Sequence, residues 1–273
     1  MIEALLEYQF LQNAFLSGVL ASIVCGMIGV IIIEKKLVMM SGGIAHTSYG
    51  GVGLGYLLGF EPIIGAFFFS ACAALGIGYI KRKSGTSSDV VIGLFWSFGM
   101  ALGILFIALM HSYPPDLSSY LFGNILSVTK ADLHLMIILA FIVTLVIAAL
   151  YHNWKAYLFD QEFALIIGLK TTFLEYLLLL MIAMTVVILI RVVGIILILA
   201  LLTAPAAVAS LFSSSLKNRM VYASLLGALF CIAGLWISYE MNIPSGASIV
   251  LLSVICYFIF HVIHSLLEKK KVI

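Results

Sequence analysis

One ionisable side chain stands deep inside an apolar, membrane-length run. It is His46, near the middle of residues 37–60, LVMMSGGIAHTSYGGVGLGYLLGF. An imidazole on a tightly packed helix cannot reach water from that depth, so it faces a bundle interior, a partner group or a hydrated path. On such a path it is a candidate ligand for a cation. The plain structural alternative is a histidine donating to a carbonyl of a neighbouring helix. Weaker donors accompany it in the same run, the sulfurs of Met39 and Met40 and the hydroxyls of Ser41 and Tyr49, while Asp89 is an acid on a later segment that could supply an oxygen. Gly43, Gly51, Gly55 and Gly59 recur at intervals of four or eight, which predicts a side-chain-free stripe for close helix packing.

Other chemistries are excluded by what the chain lacks. Gly51, Gly53 and Gly55 are spaced loosely like a dinucleotide loop, but that loop must follow a strand and open a helix. No GxxxxGK[ST] phosphate loop, HExxH, GxSxG, or Ser-Lys or paired-Asp arrangement occurs, so the chain is expected to be no enzyme, and any ATPase that drives it is another polypeptide. Cys25, Cys72, Cys231 and Cys256 fall inside apolar runs without paired spacing, which predicts neither disulfides nor a zinc ribbon.

The elements that position His46 follow from composition. With 273 residues, 64% hydrophobic and 10% charged, the chain is far from the soluble average of about a quarter charged. The mean hydropathy of +1.23 agrees. It reads as one all-α transmembrane domain over residues 1–273. A crossing needs about 20 apolar residues. Runs of that kind lie at 10–33, 38–59, 63–80, 90–110, 132–151, 173–190, 192–211, 221–238 and 246–264, which predicts eight to nine spans, since only Arg191 interrupts the stretch around 173–211. Of the 14 Lys and Arg, all but Lys130 and Arg191 fall on one side, so the positive-inside rule puts the N-terminus outside and the C-terminus in the cytoplasm. Glu61, Asp116 and Glu240 then lie at the outer surface, the first two as candidates for an outer mouth, and 114–128 reads as an interfacial or re-entrant element. On the inner side, Asp160, Glu162 and Phe163 precede an apolar turn closed by Gly168, which predicts a short surface helix suited to docking in a partner's groove. Pro205, among small residues, marks a place where the seventh run can bend and pack closely.

In order along the chain, several stretches carry a resemblance: Ile44-Ala45-His46 with Gly51-Val52; Asp116-Leu117 with Leu121 to Leu126; Phe159-Asp160 with Glu162-Phe163-Ala164 and Gly168; Val193-Gly194; Ala200-Leu201-Leu202 with Pro205-Ala206-Ala207; and Gly246 with Ile249-Val250-Leu251. Together they resemble the integral permease of the ATP-binding-cassette importers of zinc, manganese or iron. The resemblance implies a homodimeric permease in the cell (inner) membrane, two cytoplasmic ATPase subunits, an extracytoplasmic metal-binding protein, alternating access, and no nucleic-acid partner. It also implies that Asp160 to Gly168 form the helix that couples to the ATPase and that His46 is the intramembrane metal ligand. One departure stands out. The family commonly has an Asp four residues before that histidine, and here the position is Gly42. Imidazole without the carboxylate is a softer site, which favours zinc over manganese or iron as the transported ion, with no cofactor bound permanently. The rival readings are a permease for a metal chelate, an ATP-independent channel or secondary transporter, and a non-transporting sensor subunit.

Overall fold

The structure, a computed structural model, describes residues 5, 7–83, 88–110, 123 and 125–272. Asp116, the motif residues Leu117, Leu121, Phe122 and Asn124, and most of the predicted 114–128 element lie outside the described residues. Regular structure among the described residues is entirely helical: α1 (Gln9–Glu34), α2 (Val38–Leu58), α3 (Pro62–Lys83), α4 (Ser88–Ala108), a 3-10 turn (Ile125–Ser127), α5 (Lys130–Ala149), α6 (Tyr151–Phe159), α7 (Gln161–Ile166), α8 (Thr171–Phe212), α9 (Leu216–Met241) and α10 (Ser245–Val272).

Seven of these, α1, α3, α4, α5, α8, α9 and α10, are long and apolar enough to cross a membrane. α2 has the length, 21 residues, but its glycines, hydroxyls and His46 lower its apolar content. Such a helix needs shelter from lipid. It has that shelter, because α3 and α4 pack along it and α8 covers a further face. The helix that carries the imidazole is therefore a core element.

The predicted runs 173–190 and 192–211 are one 42-residue element, α8, interrupted only at Gly194 (φ 77°, ψ 162°). A straight helix of that length would measure about 63 Å, roughly twice the hydrocarbon thickness. The contacts show that it folds back. Arg82, at the end of α3, reaches Thr172 and Glu175 at the start of α8. Arg191 lies at the opposite end of the bundle with Glu61, in the α2–α3 connection. Beyond Gly194 the chain returns: Leu202 touches the backbone of Gly29, and Arg219, just past α8, pairs with Glu34 at the end of α1. Short connections at 35–37 and 59–61 make α1, α2 and α3 alternate in direction, so Glu34 and Arg82 share an end. α8 is thus two antiparallel arms joined at one glycine, whose backbone angles are essentially open to glycine alone. It is also the central post: most of it is buried, whereas the peripheral α10 is largely exposed.

Of the predicted 114–128 element, the described part packs against the apex of α8. A side chain on Gly123 would overlap the backbone of Val193 and Gly194. Ile125 is fully buried, and the Val128 carbonyl accepts from Asn13 of α1 at 3.0 Å.

Candidate functional site

α2 holds His46 about two turns from the Lys- and Arg-rich end, beside α4. Thr47 fixes the local register, because its hydroxyl donates to Gly43 O at 2.7 Å within α2 and contacts Phe95 O of α4 at 3.0 Å. The close approach comes from Gly50, Gly53, Gly99 and Gly103, where an added Cβ would crowd the facing helix. One face of the imidazole lies flat against Trp96 of α4, with ring centroids 3.9 Å apart and planes 10° apart. Among the described residues, the Nδ1 atom is buried without a hydrogen-bond partner. An imidazole held in place with an unused nitrogen is equipped to take a ligand.

The predicted supporting donors have other neighbours. Met39 is exposed in the first turn of α2, whereas Met40 is buried in the core. Ser41 donates to Val38 O at 2.7 Å. Tyr49 is buried with its ring against Gly103. Asp89 is exposed in the first turn of α4. Among the described residues no cluster of three or more His, Cys, Asp and Glu forms a cage for a metal ion. The predicted glycine stripe divides over two faces, because positions eight apart on a helix differ by about 80°. Gly43 meets Ile92 of α4, Gly51 and Gly55 meet Gly65 and Pro62 of α3, and Gly59 is instead the left-handed C-cap of α2. Pro205 is buried within the second arm of α8.

At the end opposite the Lys and Arg cluster, Glu61 forms an ion pair with Arg191 at 2.9 Å, and Arg191 also reaches Asp132 at 3.2 Å. Asp132 was missed by sequence reasoning. It is buried, and it completes a capping box with Thr129 at the start of α5. That Thr-x-x-Asp spacing is the signal that could have found it. One guanidinium thus ties the α2–α3 connection, the start of α5 and the apex of α8.

At the cationic end, Glu175 was also missed, hidden just inside an apolar run. It is nearly buried and holds Arg82 at 2.8 Å and Lys81 at 3.8 Å. Nearby, the Lys35 ammonium lies 3.5 Å over the ring of Tyr157 and donates to its carbonyl at 2.9 Å. Burial draws the Lys35 ammonium below the ordinary lysine range, with Glu175 pulling the other way. Burial, helped by Glu175, pushes the Tyr157 phenol up to about 12. α7 projects from this region. Asp160 caps it by accepting from Glu162 N at 2.8 Å and Phe163 N at 3.1 Å. Gly168 (φ 82°) closes it with the paired bonds Gly168 N to Leu165 O and Leu169 N to Ala164 O. Ala164 is buried beneath it, while Phe159, Phe163 and Ile166 stand exposed, the first and last at 88% and 82%.

Residues 7–264 match the family described as the ABC 3 transport family. An uncharacterized membrane protein of Synechocystis is 43% identical over 262 residues, covering 95% of this chain and 93% of that protein. The manganese transport system membrane protein MntC of Listeria monocytogenes is 40% identical over 258 residues, covering 94% and 92%. Among solved structures, PsaBC from Streptococcus pneumoniae in complex with Fab superposes with a TM-score of 0.86 at 36% identity, covering 95% of this chain and 93% of that one.

Proposed function

The chain belongs to the ABC 3 transport family, a multi-pass permease of the cell membrane and not an enzyme, and on that premise we propose that it carries divalent transition-metal ions, manganese first, through an ATP-driven importer. The observation that carries this reading is the His46 ring, held within the bundle on α2 with its Nδ1 buried and, among the described residues, unpartnered. The manganese protein of Listeria supports manganese as the cargo. Zinc, favoured by the bare imidazole, finds no support in the relatives reported above and is the competing ion in the test. With no acid cluster at the site among the described residues, the dication needs a hydrated route, because moving it unpaired into hydrocarbon is costly by Born solvation.

The seven apolar helices, together with sheltered α2 and the second arm of α8, make nine passes in a single domain. The Lys- and Arg-rich end then faces the cytoplasm, the N-terminus lies outside and the C-terminus inside. In this frame α7 is the coupling helix. Its exposed Phe163 and Ile166 offer an apolar surface for one ATPase subunit, while Asp160, Glu162 and Gly168 hold its shape. A second copy of the chain, two ATPases and an extracytoplasmic metal-binding protein complete the machine, which works by alternating access. The outer mouth includes Glu61 and Asp116.

The test is metal accumulation in cells that express the chain with its ATPase and delivery protein, supplied with manganese, zinc and iron together. Manganese is expected to rise with the native chain, and His46→Ala is expected to abolish the rise at equal membrane abundance. Unchanged accumulation in the variant removes His46 from the path. A rise in zinc alone replaces the cargo.

A further inference from the structure

We propose that Trp96 is a positioning residue of the cation path, its indole holding the His46 imidazole in the orientation that receives the ion and filling the place beside Gly42. The inference rests on the reading of His46 as a ligand on the path.

A histidine that binds a metal usually has its ring fixed by a hydrogen bond from its second nitrogen to a carboxylate or carbonyl. Among the described residues, no hydrogen bond of that kind reaches the His46 ring from a neighbouring group. What restrains the ring is the indole, which lies flat on one face at 3.9 Å, so the imidazole cannot turn about its ring bond without displacing Trp96. The same indole covers the neighbouring turn. Positions 42 and 46 share a face of α2, and a Cβ on Gly42 would lie 3.6 Å from Cζ3 of Trp96 and 3.9 Å from Cδ2 of Leu199. Trp96 therefore lines the two positions where an acid and a histidine would form a ligand pair. It supplies an electron-rich face in place of a carboxylate. When a cation binds the imidazole, positive charge is drawn onto that ring, and an indole is the best aromatic partner for such charge. The stack thus favours the loaded ring over the empty one.

The experiment uses the permease assembled with its ATPase in proteoliposomes and manganese alone as the probe. Trp96→Leu is expected to raise KM for manganese about tenfold, the lower end of the cost of losing a group that orients a ligating histidine, with kcat changed far less. Trp96→Phe, which keeps an aromatic face, is expected to recover most of the loss. Fluorescence supplies a second readout that needs no loss of folding. Manganese is expected to quench part of the native emission saturably, and that part is absent in Trp96→Phe and in His46→Ala. Saturable quenching that persists in Trp96→Phe, or an unchanged KM in Trp96→Leu, overturns the assignment. If His46→Ala abolishes uptake while the Trp96 variants behave as native, only the role of Trp96 falls. If His46→Ala transports normally, the underlying reading of His46 falls with it.

Discussion

Gly42 has room for a Cβ. The contacts a Cβ would make there, at 3.6 Å and 3.9 Å, are ordinary van der Waals distances, so the first side-chain carbon of Gly42→Asp is accommodated, and its carboxylate, one turn from His46, takes its place by shifting the Trp96 indole. An oxygen and a nitrogen on one helix face suit manganese better than a lone imidazole does. The ratio of manganese to zinc accumulated should therefore rise in this variant, and a fall would argue against the shared face. Gly51 is the opposite case. A methyl group there overlaps the backbone of Gly65, and Gly51→Ala is expected to destabilise the protein by about 1–3 kcal/mol, read as a lower Tm in detergent. At this scale sequence reasoning singled out His46, because an ionisable group in an apolar run is conspicuous. It passed over Trp96, because an indole in such a run is ordinary and the two rings meet across 50 positions of chain on different helices.

Elements were legible to the extent that hydropathy describes them. The apolar helices stand close to where their runs predict, and Asp160 and Gly168 bound α7 as their capping preferences require. Hydropathy alone could not show that α2 is sheltered on several sides or that α8 doubles back. That information lies in contacts between helices. Gly194 is the test of the second point: its backbone angles cost a non-glycine residue about 1–3 kcal/mol, so Gly194→Ala is expected to lower Tm measurably. α7 calls for a different measurement. Phe163→Ala combined with Ile166→Ala removes exposed apolar surface, so Tm should hold while manganese uptake falls and ATP hydrolysis no longer responds to the delivery protein. A large drop in Tm would make α7 a folding element rather than a docking one.

In the whole molecule, charge holds the two ends of the bundle differently. The cationic end shares its contacts among Glu34, Glu175, Lys35, Arg82 and Arg219, whereas at the opposite end, among the described residues, Arg191 joins Glu61 and Asp132. Arg191→Met strands the buried Asp132 carboxylate and is expected to cost about 1–3 kcal/mol. Glu61→Gln, at an exposed pair, should cost less than about 1 kcal/mol. Equal losses from the two variants, measured by thermal unfolding, would show that Asp132 is not the main partner.

The turn at Gly194 also bears on how the chain is made. Forty-two residues with a one-residue bend leave no polar loop at which the insertion machinery could release the first arm before the second emerges. In the orientation proposed above, Arg191 at the far tip is carried across the bilayer, whose centre disfavours an Arg by roughly 2.5–3.5 kcal/mol on translocon scales. The apolar residues of both arms together exceed that penalty, so the hairpin is expected to enter as a single unit of biogenesis, and a ribosome stalled before the second arm has emerged would hold the first arm short of its final depth.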